Sequence, residues 1–223
     1  MADRRPQKIL EVLRTNFTMP KWTTLNEDPF KTLIVTIISQ NTADRNTARA
    51  FENLSNKFKL TPEVLTNAEA KDIEESLKIA GLYRNKTKTI KRVSNAILER
   101  YHGDLKPILS LPTEEAREAL MQFPGVGPKT ADVVLLFCAK QDTIPVDTHV
   151  NRVSKRLGLA PSNGNYEVVR NALQSIYDPK DYLSVHVLLI LHGRKYCKAR
   201  VPLCNECPIK SLCPSRHLFD KND

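Results

Sequence analysis

The sequence predicts an all-α protein, and three observations carry the prediction. Capping side chains recur beside prolines at helix starts, glycines recur where helical patterns stop, and hairpin signals between alternating apolar and polar residues are few. Asp28-Pro29 opens the first such segment, with the aspartate as cap and the proline at the first helical position, where its missing N–H costs nothing. Thr61-Pro62 repeats the arrangement. Asn67 can cap a helix over Ala68 to Ile79, in which Ile73 and Leu77 stand at helical spacing and Gly81 closes the end. Further helices are expected from Arg84 to about Tyr101 before Gly103, up to about Gln122, and from Pro128 onward. The last three run from Thr148 to Leu157, Tyr166 to Tyr177 and Asp181 to His192, with stops at Gly158 and Asp178-Pro179. Three apolar runs, Leu33 to Ile38, Val133 to Phe137 and Val185 to Leu191, could pass for buried strands. The helix starts just upstream of the first two decide for helix.

The chain has 223 residues, enough for one large or two small cores. No apolar run approaches the roughly 18 residues of a membrane span, and no secretory signal is visible, so a cytoplasmic location is expected. The formal charge of +9, with a pI near 9.3, favours a polyanionic partner. The charge is clustered: Arg84, Lys86, Lys88, Lys91 and Arg92 form one basic stretch, and Arg194, Lys195, Lys198 and Arg200 surround Cys197. The blander readings are a solvated helix face for the first and a lysine-rich tail for the second.

Four of the five cysteines are spaced Cys197-x6-Cys204-x2-Cys207-x5-Cys213, and the fifth is Cys138. In a reducing cytosol such clustering means metal ligands rather than disulfides. Zinc and an iron-sulfur cluster both remain open on spacing alone, although zinc folds more often use two short Cys-x2-Cys clips and this site has one.

In Phe123-Pro-Gly-Val-Gly-Pro-Lys-Thr130, Gly125 and Gly127 flank Val126 between two predicted helices. Glycines permit the positive φ of a tight hairpin and let a phosphate approach bare backbone, while the next helix offers unpaired N–H groups. Such a helix-hairpin-helix grips the DNA backbone without reading sequence. Lys129 sits in the first turn of that next helix, where a cation is unfavourable by about 0.3 to 1 kcal/mol. A positive dipole end favours the neutral amine, the form able to attack a sugar carbon and give a Schiff base. Asp147, just before a predicted helix, can act as a cap, which would hold its carboxylate ionised and fixed in direction. His149 reads more readily as a packed histidine than as an acid or base.

Taken in order, Pro-Gly-Val-Gly-Pro-Lys-Thr-Ala, Val-Asp-Thr-His, Leu191-His192-Gly193-Arg194 and the four-cysteine signature resemble endonuclease III, the helix-hairpin-helix DNA glycosylase family with a [4Fe-4S] cluster. Ser39-Gln40-Asn41-Thr42 and Gly81-Leu82-Tyr83-x-x-Lys86 add further matches. The resemblance implies a six-helix domain over residues 23–135 containing the hairpin, and an iron-sulfur domain formed by residues 1–22 and 136–223. DNA would lie across the cleft between them. By the same resemblance Lys129 is the catalytic lysine that attacks C1′, Asp147 the assisting aspartate, and Cys197, Cys204, Cys207 and Cys213 the cluster ligands. Gln40 or Asn41 would fill the hole left by an extruded base, and Leu82 would wedge beside the opposite strand. Gly125, Val126, Gly127 and Thr130 of the hairpin, with Lys198 and Arg200 of the cluster loop, complete the expected DNA contacts.

The implied function is removal of oxidised pyrimidines from duplex DNA with strand cleavage by β-elimination, by a monomer acting on damaged bases or abasic sites. Lysine at 129 favours this bifunctional class over relatives that only remove a base. A monofunctional uracil or thymine mismatch glycosylase and a non-enzymatic DNA-binding module are the alternatives. Two departures from the family's pattern stand out: Ser39-Gln40-Asn41-Thr42 replaces Ser-Ala-Gln-Ala-Thr, and Asp132 stands where asparagine is common. Asp132 could pair with Lys129 or simply suit the first helical turn.

Overall fold

The structure, a computed structural model, describes residues 4–20 and 28–219. Among these residues there is no strand. The helices are α1 (Arg5–Asn16), α2 (Pro29–Ser39), α3 (Asp44–Lys57), α4 (Pro62–Asn67), α5 (Ala70–Leu77) and α6 (Tyr83–Tyr101). They continue as α7 (Lys106–Leu109), α8 (Thr113–Met121), α9 (Pro128–Val134), α10 (Thr148–Arg156), α11 (Tyr166–Ile176) and α12 (Tyr182–Lys195). None of the described helices is long and apolar enough to cross a membrane. All three ambiguous apolar runs are helical, lying in α2, in α9 with the π-helical turn Leu135–Ala139 that extends it, and in α12.

Local chemistry sets several helix starts. Asp28 accepts from the N–H groups of Phe30 and Lys31, Thr61 from Val64, and Asn165 from Val168. Each such cap satisfies donors that would otherwise face no partner, worth about 1 kcal/mol. Asn67 is not a cap. It ends α4, the chain turns extended at Ala68, and Glu69 precedes α5. The predicted single helix over Ala68 to Ile79 is α5 followed by a 3-10 turn at Lys78–Ala80. Helices α1 and α3 carry no side-chain cap, and their starts are marked only by Pro6 and by Asp44 in their first turns.

The chain divides into two compact units, one of Met1–Thr23 with Asp142–Asp223 and the other of Thr24–Gln141. The predicted boundary at 22/23 lies outside the described residues. The one at 135/136 falls inside the π-helical turn, whose Leu135 belongs to the core of the second unit. That core is built from Leu33, Ile34, Ile37 and Ile38 of α2, Leu54 of α3, Ile73 and Leu77 of α5, Ile90, Val93 and Ile97 of α6, and Val134 of α9. In the other unit α1 packs on α12, burying Ile9, Leu10 and Leu13 together with Val185, Leu188 and Leu189. Arg5 of α1 fastens the N-terminal segment by donating to Leu157 O at 2.5 Å and Leu212 O at 3.3 Å. Helix α1 and the segment around Leu212 thus meet within one unit.

Candidate functional site

The hairpin forms between α8 and α9. Gly125 adopts φ +79°, and a Cβ there would come within 2.3 Å of Thr89 Cγ2 on α6, so glycine is required twice over. Gly127 differs: its φ is −97°, which any residue adopts, and a Cβ would meet nothing within 4 Å. No internal packing explains that glycine, but close approach by an external backbone would. Val126 is buried in the core, and its N–H donates to Phe123 O at 3.1 Å. Thr130 is 4% exposed, so its side chain offers no surface to DNA, and Val126 at 6% offers little more. Any part they have in gripping a phosphate is confined to backbone. Lys129 is half-buried in the first turn of α9.

A buried ion pair joins the two helices that carry the hairpin. Arg117 Nε on α8 donates to Asp132 Oδ1 on α9 at 3.0 Å, with side-chain exposures of 7% and 0%. Asp132 is therefore not a first-turn acid: it lies beyond the first turn of α9 and pairs with Arg117. Arg117 accounts for an aspartate where asparagine is common, and sequence reading missed it, although Arg117 falls on the same helix face as buried Ala116 and Leu120.

Three loops converge at this end of the unit. Gln40 Nε2 donates to Gly125 O at 3.4 Å, bringing the α2–α3 loop to the hairpin. Thr42 Oγ1 donates to Ala80 O at 2.6 Å, joining the same loop to the turn before α6. Gln40 and Asn41 are exposed, and Leu82 is an exposed large hydrophobe at 59%. The basic stretch on α6 splits in two. Arg84, Lys88 and Arg92 recur every four residues as an exposed stripe, whereas Lys86 is buried and Lys91 donates to Thr66 O at 2.7 Å and to Ala68 O. Two of the five predicted surface cations thus turn inward.

In the other unit Asp147 caps α10 as expected, its Oδ1 accepting from Val150 N–H at 2.7 Å. His149 Nδ1 lies 3.1 Å from Arg152 Nη2, and a Cβ on Gly193 would meet His149 Cβ at 3.1 Å and Val153 Cγ2 at 3.0 Å. His149 is therefore a packed residue where α10 and α12 approach closely.

Cys197, Cys204, Cys207 and Cys213 line one cavity of about 390 Å³, including its open mouth, and none forms a disulfide. Among the described residues no three His, Cys, Asp or Glu side chains are arranged to hold a single ion. Burial, and then the charges of the other three cysteines, push the Cys207 thiol up to about 11. Burial likewise raises the Cys213 thiol. Donors already face the sulfurs: Arg156 Nη1 is 3.5 Å from Cys197 Sγ, and His192 Nε2 is 3.7 Å from Cys207 Sγ. Burial lowers the His192 pKa to about 4, which keeps the ring neutral. Its Nδ1 has no hydrogen-bond partner among the described residues, so the proton is best placed on Nε2, facing the sulfur. Arg156 also donates to Lys198 O at 2.7 Å and Ala199 O at 2.9 Å, and Arg152 Nε to Cys197 O at 3.0 Å. Lys198 and Arg200 project from this loop, exposed.

Comparison with known proteins adds the following. The family model described as HhH-GPD superfamily base excision DNA repair protein matches residues 34–179. Endonuclease III of Sulfolobus acidocaldarius is 36% identical over 185 residues, covering 82% of this chain and 81% of the relative. Endonuclease III of Bacillus subtilis is 36% identical over 197 residues, covering 88% and 86%. Among solved structures, a trapped endonuclease III–DNA covalent intermediate in an estranged-adenine complex matches with a TM-score of 0.85 at 29% identity, covering 98% of each chain. A thermostable thymine-DNA glycosylase shares the fold, with a TM-score of 0.81 at 19% identity over 97% of this chain and 98% of that one.

Proposed function

Because the chain belongs to the HhH-GPD superfamily of base excision DNA repair proteins, we infer that it is a bifunctional DNA glycosylase and abasic-site lyase. It binds damaged duplex DNA as a monomer, extrudes an oxidised pyrimidine, removes it, and cleaves the strand. The observation that carries the lyase half is Lys129, placed one residue into the helix that follows the glycine hairpin. With the hairpin backbone gripping phosphate, the neutral Lys129 amine attacks C1′, and the C1′–N bond to the base breaks with the electron pair leaving on the base. Loss of the amine proton and opening of the sugar ring give a Schiff base at C1′. Removal of a C2′ proton then expels the 3′ phosphate and breaks the strand. Asp147, held in direction by Val150 N–H, stabilises the positive charge that develops on the sugar. Exposed Gln40, Asn41 and Leu82 offset the few kcal/mol needed to unstack the base.

The unit holding both chain ends serves as the cluster domain and the other as the helix-hairpin-helix domain. Cys197, Cys204, Cys207 and Cys213 are the ligands of a [4Fe-4S] cluster, which when bound cross-links the 197–213 segment. Lys198 and Arg200, projecting from it, contact the DNA backbone. A brown protein absorbing near roughly 400 nm supports the cluster, and a colourless zinc protein opposes it.

The test uses duplexes bearing thymine glycol, dihydrouracil, uracil, mismatched thymine or an abasic site, with and without borohydride. Wild-type protein should release the oxidised pyrimidines and cross-link on reduction, and Lys129→Ala should bind but not cross-link. Base release without trapping would favour a monofunctional glycosylase. Binding with neither would leave a non-enzymatic DNA-binding module.

A further inference from the structure

Lys86 is a buried cation that the chemistry above does not use. It lies in the first turn of α6, four residues before Ile90 and on the helix face that Val93 and Ile97 bury, and it is 5% exposed. Its Nζ donates to Ala80 O at 2.9 Å and to Thr42 Oγ1, while Thr42 Oγ1 donates to Ala80 O at 2.6 Å. Three groups close a ring. Ammonium, hydroxyl and carbonyl therefore fasten together two loops whose bonded residues, Thr42 and Ala80, stand 38 positions apart. Burial lowers the Lys86 pKa, as expected of a cation drawn from water to serve internal acceptors.

What the ring fastens is strained. Ala80 leads into Gly81 at φ +64° and Leu82 at φ +46°, and Thr42 follows Asn41 at φ +53°. A non-glycine residue in the left-handed region costs about 1 kcal/mol or more, and it persists only where its surroundings over-determine it. Leu82 and Asn41 are also the residues, with Gln40, that stand exposed beside the hairpin. A solvent-facing leucine in a left-handed turn satisfies no internal packing need, so its conformation is maintained from below.

We propose that Lys86 is a positioning residue: through Thr42 and Ala80 it locks the Gln40–Asn41 and Leu82 loops in the conformations that present both to a duplex during base extrusion. This rests on the functional reading above. It assigns Lys86 no contact with substrate.

The test compares wild-type protein with Lys86→Met, which keeps the aliphatic stem, and Thr42→Val, which keeps the ammonium but removes the shared hydroxyl. Three quantities are read: single-turnover base release from a thymine glycol duplex, fluorescence of a 2-aminopurine beside the lesion as a report of extrusion, and cleavage of single-stranded DNA carrying a ready-made abasic site. Both variants should lose about tenfold or more in extrusion and base release while retaining single-strand cleavage to within about twofold. A merely structural lysine would depress both substrates together, and that result overturns the proposal. So does wild-type extrusion by both variants. Should Lys86→Met fail to fold, Thr42→Val decides alone. If wild-type protein releases no base, the functional reading fails and this one falls with it; if wild type is active and the variants match it, only this one falls.

Discussion

Replacing Asp132 with asparagine removes one charge from the Arg117–Asp132 pair while keeping the shape of the side chain. The pair is 3.0 Å long and almost fully buried, joining α8 to α9 on either side of the hairpin. At that distance two unit charges attract by roughly 5 kcal/mol at an effective dielectric of about 20. Much of this offsets the cost of taking both ions out of water, so the pair as a whole stabilises the fold little. Losing one partner is another matter. It removes the buried counter-ion of the Arg117 guanidinium and leaves the exposed Glu114 carboxylate, 3.8 Å away, as a weaker one, at a cost of about 3 to 5 kcal/mol. For a chain of this length each kcal/mol moves the melting temperature by about 2 to 4 °C, so Asp132→Asn should melt about 6 to 20 °C below wild type. Calorimetry on the holoprotein measures it. The double variant Arg117→Met/Asp132→Leu, which removes both charges, should melt nearer to wild type than the single one does. A single-variant shift under about 3 °C, or a double variant no better than the single, would refute the assignment of this pair as the brace of the hairpin.

Asp147→Asn should retain the cap on α10, since asparagine caps as well as aspartate, yet lose at least roughly 100-fold in base release, about 2.7 kcal/mol of barrier. Near-normal turnover by a well-folded variant would remove Asp147 from the mechanism. Replacing Lys198 and Arg200 together with alanine should weaken binding to all duplex sequences alike and reduce the slope of log K against log salt by up to about two. An unchanged slope would show that the loop does not touch phosphate.

How much of this could be read in advance depended on how far each residue reaches. Caps at Asp28, Thr61 and Asp147 were legible because each bonds an amide two or three residues away, and so was the hairpin, whose glycine and proline positions carry their own geometry. Asn67 misled because α4, which starts at Pro62, is still helical when it reaches that asparagine. Lys86 and Arg117 were beyond reach for a different reason. Their partners are Thr42, Ala80 and Asp132, and which of several nearby cations turns inward is settled by tertiary packing. A weak signal existed: Lys86 is in register with Ile90, and Arg117 sits between Ala116 and Leu120, so each breaks an apolar face. The basic stretch on α6 therefore overstated the surface charge, and its exposed part is the stripe Arg84, Lys88 and Arg92.

Helix α10 works as a short rod with a different load at each end. Asp147 caps its start, and nine residues later Arg156 grips the carbonyls of Lys198 and Ala199, with Arg152 holding Cys197 O between. Nine residues span about 13 Å of stiff, hydrogen-bonded backbone. The aim of the carboxylate and the seating of the cysteine loop are thus set by one piece of secondary structure rather than by two that could drift apart. Whatever anchors that loop also steadies the direction of a carboxylate a helix length away, so the four-cysteine segment can act on that carboxylate mechanically, through the helix, without touching it.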